Sequence, residues 1–178
     1  GLGNGRIGGP DADSKLFEPI GALLCVDAET GKALWPPYKV GNGVLNRPAI
    51  DRTRVYFGSR DGACYCLDRQ TGKLRWKKDV GSAVVATPAL EQCSTCGHTS
   101  NVYALGVTGQ VYCLDSYTGK VHWSFTDLEK NTATLAATPA IVVTHTPEGD
   151  RRRIYLGASL NNNTIQALYC LEDLSPER

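Results

Sequence analysis

One phrase occurs three times in this chain, at Asp27–Trp35, Asp68–Trp76 and Asp115–Trp123. Its pattern is Asp-x-x-Thr-Gly-Lys-x-x-Trp, and every tryptophan in the sequence occupies its last position. A chain built this way is a repeat array, in which each unit buries its apolar face only against its neighbours. No single residue has a meaning outside its repeat.

Trp35 and Trp76 are 41 residues apart, Trp76 and Trp123 are 47. Other landmarks keep step. Arg47-Pro48-Ala49, Thr87-Pro88-Ala89 and Thr138-Pro139-Ala140 form one set. Val55-Tyr56-Phe57-Gly58, Val102-Tyr103-Ala104-Leu105-Gly106 and Ile154-Tyr155-Leu156-Gly157 form the next. Tyr65-Cys66-Leu67, Tyr112-Cys113-Leu114 and Tyr169-Cys170-Leu171 follow, with Leu24-Cys25-Val26 as the earliest copy.

One repeat therefore reads as four short strands, near 49–50, 55–59, 63–68 and 73–78 in the clearest copy. Each is rich in β-branched or aromatic residues and bounded by turn residues. Arg60-Asp61-Gly62 predicts a hairpin, because glycine supplies the positive φ that the turn needs. In Asp-x-x-Thr-Gly the aspartate can accept from turn amides while glycine takes the left-handed position. Period two places Leu74 and Trp76 on one face of the fourth strand and Arg75 and Lys77 on the other. No segment shows helical periodicity. Four-stranded antiparallel units at roughly 40–50 residues per repeat are the pattern of β-propeller blades, so the fold class is all-β. The tryptophan is expected to wedge between consecutive blades, its indole N–H bonded to a neighbouring backbone carbonyl.

Val55 to Trp76 resembles the pyrroloquinoline-quinone (PQQ) type propeller repeat almost position for position. Val102 to Trp123 is also similar, with Thr108-Gly109 in place of Asp-Gly. The resemblance covers nearly the whole chain, 1–178, as one repeat region. Its structural residues fall on Asp27, Gly31, Trp35, Asp68, Gly72, Trp76, Asp115, Gly119 and Trp123. It implies membership of a family that includes quinoprotein dehydrogenases, BamB-like scaffold propellers and sensor domains. The dehydrogenases carry adjacent, disulfide-bonded cysteines under the cofactor and a calcium held by Glu, Asn and Asp. Here the nearest cysteines, Cys64 and Cys66, are not adjacent, and no such calcium set can be placed on the repeats. The family also implies export to a periplasm or cell surface.

Thirteen strands are expected: a partial blade at 1–40, full blades at 41–80 and 81–127, and a partial blade at 132–178. These make about three and a half blades, less than most rings. No signal peptide is visible, no methionine occurs, and the chain reads as a segment of a larger propeller. Its end blades would be completed by other blades of the parent protein or by a second copy.

Candidate chemistry is sparse. Two connections between second and third strands are long, from Gly5 to about Pro19 and from Ser159 to about Gln166. Both fall at one end, and long loops on a rigid scaffold are where binding tends to sit. Asn162-Asn163-Thr164 within the second fits a glycosylation acceptor, against a plain solvated insertion. At the opposite end, Cys93-Ser94-Thr95-Cys96-Gly97-His98 can offer two thiolates and an imidazole to a tetrahedral zinc, one ligand short of a full structural site. A local staple, disulfide or free thiols, ranks ahead of zinc, and thiol redox catalysis ranks last. Cys25, Cys66, Cys113 and Cys170 share one repeat position and read as small buried apolar residues. A sheet spacing of ~10 Å exceeds the ~7 Å bridging limit. His122 reads as an exposed strand residue, His145 as part of a polar loop from Thr144 to Arg153, and Arg151-Arg152-Arg153 as solvated surface.

A net charge of +1 gives no reason to expect nucleic acid, and no apolar run is long enough to span a bilayer. No catalytic grouping stands out. The expectation is a non-enzymatic PQQ-like module acting as a protein-binding scaffold within a larger protein. One alternative is a fragment of a PQQ-dependent dehydrogenase, with PQQ and calcium supplied only by other blades. The other is a zinc-stabilised interaction domain.

Overall fold

The computed structural model describes residues 2–3, 21–92, 96–126, 134–160 and 165–173. Among them the chain is all-β, fourteen strands in four antiparallel sheets. The first sheet holds β1 (Leu2–Gly3), β2 (Gly21–Leu23) and β3 (Tyr38–Val40). The second holds β4 (Ala49–Ile50), β5 (Arg54–Gly58), β6 (Ala63–Asp68) and β7 (Leu74–Asp79). The third holds β8 (Ala89–Gln92), β9 (Thr99–Leu105), β10 (Val111–Asp115) and β11 (Val121–Phe125). The fourth holds β12 (Ala140–Thr146), β13 (Gly149–Leu160) and β14 (Ile165–Asp173). Strand order in every sheet follows chain order, a simple up-and-down meander. The first sheet has one strand more than expected, the two-residue β1 paired to β2. No helix among the described residues is long and apolar enough to cross a membrane.

Alternation along the strands sorts side chains into three cores, one between each successive pair of sheets. Val55, Phe57, Tyr65 and Leu67 face the first sheet, whereas Tyr56, Cys64 and Cys66 face the third. The third sheet repeats this, with Val102 and Leu114 toward the second sheet and Tyr103 and Cys113 toward the fourth. The sheets thus form an unclosed, propeller-like arc, and each central sheet is buried on both faces.

The expected alternation fails at one point. Trp76 pairs with Cys66, and Leu74 pairs with Leu67, which leaves Arg75 as an extra residue in the ladder. The same bulge recurs at His122, between Trp123 opposite Cys113 and Val121 opposite Leu114. A bulge re-aims the residues on either side of it. Leu74 and Trp76 therefore lie on opposite faces. In the third sheet the consequence is visible in the packing: Val121 joins the core with the second sheet, and Trp123 joins the core with the fourth.

Thr144–Arg153 is not a loop. It is the hairpin between β12 and β13, with His145 opposite Asp150 in the ladder. The β-branched run Ile141–Thr144 pairs with Arg151–Ile154 and carries the ladder to the turn, where Gly149 takes a φ of 123°.

Candidate functional site

The three Asp-x-x-Thr-Gly turns are built alike. Asp68 Oδ1 accepts from the Gln70 and Thr71 amides and from the Thr71 hydroxyl, at 3.1, 2.9 and 2.9 Å. Asp27 and Asp115 do the same with Thr30 and Thr118. Each threonine oxygen then accepts from the following lysine amide. Gly31, Gly72 and Gly119 close the turns at φ near +70°, namely 68°, 67° and 70°. The Arg75 guanidinium, 2.5 Å from the Asp68 carboxylate, together with Thr71, holds that carboxyl at about 2.

These turns seat the indoles. Trp35 Nε1 donates to Arg69 O at 3.4 Å, and Trp76 Nε1 donates to Ser116 O at 2.9 Å. A Cβ on Gly72 would stand 2.5 Å from the Trp35 ring, and one on Gly119 2.7 Å from the Trp76 ring. Glycine is thus needed twice over at each turn, for backbone and for ring. Trp123 packs against the core shared with the fourth sheet, and its indole N–H has no acceptor among the described residues.

The two outer faces of the arc lack such contacts. At Gly31 an added Cβ meets nothing within 4 Å, so among the described residues this seat holds no ring. Val26 is 54 % exposed, while its repeat partners Leu67 and Leu114 are fully buried. On the far face of the fourth sheet Leu168 is 75 % exposed. Gly157 is open there, although a Cβ on its counterpart Gly58 would strike the Val84 side chain. Among the shared-position cysteines, Cys66 and Cys113 are buried and Cys25 is half-buried. Cys170 is exposed, contrary to expectation, because among the described residues no sheet covers its face. Burial pushes the Cys66 thiol up to about 12 and raises Cys64 as well, so both stay neutral thiols at ordinary pH.

A cleft of about 490 Å³ opens between the second and third sheets, at the end that carries the Asp-x-x-Thr-Gly turns. Thr53, Arg54, Arg75, His98, Thr99 and Tyr117 line it. The Arg54 guanidinium stacks 4.2 Å from the Tyr117 ring centre. Its partner Asp51 has a wholly buried side chain, 3.7 Å from that guanidinium. Asp51 accepts from the Thr53 and Arg54 amides and from the Tyr56 hydroxyl. Burial alone would raise the Asp51 carboxyl, but these bonds outweigh it and keep the group ionised.

Of the residues proposed from sequence for a metal, Cys96 and His98 are exposed on the loop between β8 and β9, and Cys93 lies outside the described residues. Both long connections, Gly5–Pro19 and the Asn161–Thr164 tip, also lie outside them. Among the described residues no three His, Cys, Asp or Glu side chains are grouped to hold a metal. No two cysteines are adjacent in the sequence. The described residues thus do not group into the donor set that the resemblance implies for PQQ and calcium.

Two expected surface groups are partly buried. The His122 side chain is 9 % exposed, 3.9 Å from Asp115, because the bulge turns it inward. Arg152 is not free surface: its Nε donates at 2.6 Å to Glu91, tying β13 to β8. Glu91 also accepts from Asn101 Nδ2 and the Tyr103 hydroxyl. His145 is exposed and 2.5 Å from Asp150. The cleft and the Glu91 network were missed because each joins residues from different repeats. The one sequence signal was Arg69 and Arg75, which stand where the other copies have Ala28 and Leu34, or Ser116 and His122.

Residues 20–159 match the protein family described as outer membrane protein assembly factor BamB. Among solved structures, BamB from Moraxella catarrhalis is 19% identical with a TM-score of 0.54, over 79% of this chain and 37% of that one. Sqt1 from Saccharomyces cerevisiae is 12% identical with a TM-score of 0.60, over 85% and 38%. Quinohemoprotein alcohol dehydrogenase from Comamonas testosteroni is 19% identical with a TM-score of 0.50, over 65% and 17%. At these identities the likeness is one of fold, and the chain spans less than two fifths of each of those structures. No curated protein matches the sequence. With the family match covering most of its length, the chain belongs to the BamB-type family of PQQ-like β-propeller repeats.

Proposed function

We propose that this chain is a protein-binding scaffold segment of a larger PQQ-like propeller, without enzymatic activity of its own. The observation that carries the reading is the pair of uncovered apolar faces. Gly31 offers a ring seat like those of Gly72 and Gly119, and Val26 waits where Leu67 and Leu114 are covered. The occupant that fits is a further four-stranded repeat ending in a tryptophan. A second copy fits less well, because all three indoles already pack within this chain. The family's description as an assembly factor supports a protein partner, and its outer-membrane setting supports an extracytoplasmic location.

The test is a tandem fusion. A duplicate of residues 41–80, carrying its own Trp76 copy, is joined ahead of the chain. In repeat proteins each added interface adds stability. The melting temperature should rise, and Trp→Ala in the added copy alone should remove the gain. No gain in either form overturns the reading. Two further assays address the alternatives. Dye reduction with PQQ and calcium should stay at background. Metal analysis of the native chain and of Cys93→Ser tests zinc at Cys93, Cys96 and His98, the remaining proposal for that loop.

A further inference from the structure

Charge is unevenly distributed in this chain. The net value over 178 residues is +1. At one end of the second sheet, Arg52, Arg54, Arg69, Lys73 and Arg75 stand against only Asp51 and Asp68, a local balance of +3. The repeat does not require this, since the equivalent turns of the first and third sheets lack arginine. Both acids are committed locally. Asp51 is sealed behind Arg54 with four hydrogen-bonding and ionic partners, and Asp68 holds its own turn and Arg75. Asp115, across the cleft, is likewise occupied by Tyr117 and Thr118. The acids therefore aim and anchor the guanidinia, and the cleft wall carries none of them. Tyr117 stacks on the face of Arg54, whose side chain is 11% exposed and reaches the cleft wall, and a guanidinium carries five N–H donors. Arg75 is 56% exposed despite its bond to Asp68.

We propose that this cleft binds an oxyanion of the phosphate or carboxylate class, held by the Arg54 and Arg75 guanidinia and supported by the Thr53 hydroxyl and the His98 ring. Planar guanidinium forks match both kinds of group, and two of them from separate strands give directional recognition that a diffuse basic surface lacks. A site made by two neighbouring sheets also forms only when the sheets dock, so binding reports on the arc itself.

Calorimetric titration of the intact chain with inorganic phosphate and, separately, with citrate tests this at constant ionic strength set by potassium chloride. Saturable one-to-one binding of at least one anion is expected, and the tighter of the two identifies the ligand group. Arg75→Gln should weaken it about tenfold, equivalent to about 1.4 kcal/mol. Lys73→Gln removes the same charge from the same turn but lies off the cleft wall, and should change affinity less than about twofold. Thr53→Ala, which keeps the backbone bond to Asp51, should give an intermediate loss. Tryptophan fluorescence of each variant checks that the sheets remain docked. Failure of both anions to saturate overturns the proposal. Equal weakening by Arg75→Gln and Lys73→Gln also overturns it, because that is the behaviour of unspecific charge attraction.

Discussion

At the scale of the residue, glycine and aspartate carry the repeat. Gly31 and Gly72 share a left-handed backbone but not a neighbour. Alanine at either position incurs the left-handed penalty of about 1–2 kcal/mol. Only at Gly72 does the new methyl also meet an indole, which adds about 1–3 kcal/mol of overpacking. Urea denaturation should therefore rank Gly72→Ala well below Gly31→Ala. Equal losses would mean that the Trp35 seat is not formed. Asp68 gives a pH-dependent counterpart. Its folded value near 2 lies below the ordinary 3.8, so its stabilisation is fully present above about pH 4 and is lost as pH falls toward 2. Asp68→Asn should flatten the acid limb of the stability curve measured between pH 5 and pH 2. The turn geometry of these residues was readable in sequence because it acts within a few positions; the contact of Gly72 with the Trp35 ring was not, because it joins two repeats.

At the scale of the element, strands were placed to within a residue or two wherever turn chemistry bounded them, as for β6 between Gly62 and the Asp68 turn. Faces were harder. The bulges at Arg75 and His122 add one residue to a ladder, and an inserted residue leaves no mark in a hydrophobic alternation only six residues long. Within the triple arginine, Arg151 and Arg153 are exposed as expected, and only Arg152 departs from solvated surface. On its own strand it looks like solvated charge, and its partner Glu91 lies 61 residues away. Truncating one member of a fully buried pair typically costs about 3–5 kcal/mol; here Arg152 is partly exposed and Glu91 keeps its bonds from Asn101 and Tyr103, so the loss is smaller. Arg152→Ala is accordingly expected to destabilise by about 1–3 kcal/mol and to raise amide hydrogen exchange across β12, β13 and β14 before the second sheet responds. Uniform exchange across all four sheets would show that the Glu91 contact does not pin the fourth sheet.

At the scale of the whole molecule, identical repeat positions have different consequences according to which sheet stands beside them. Leu67 and Val26 occupy the same place in the repeat, yet one is buried and the other is 54 % exposed. Leu67→Ala should cost about 2–5 kcal/mol by leaving a cavity. Val26→Ala should change stability by less than about 0.5 kcal/mol in the chain as it stands. Guanidinium denaturation of the two variants checks the contrast, and in the tandem fusion Val26→Ala should become costly as its face is covered. Composition and repeat spacing dictated the strands, their turns and the place of each tryptophan, because those follow from backbone preferences acting over a few residues. The choice of which faces are sealed, which arginines meet across a cleft and which cysteine is left in solvent came from the docking of one sheet on another. Such contacts join residues tens of positions apart, and local pattern carries no record of them.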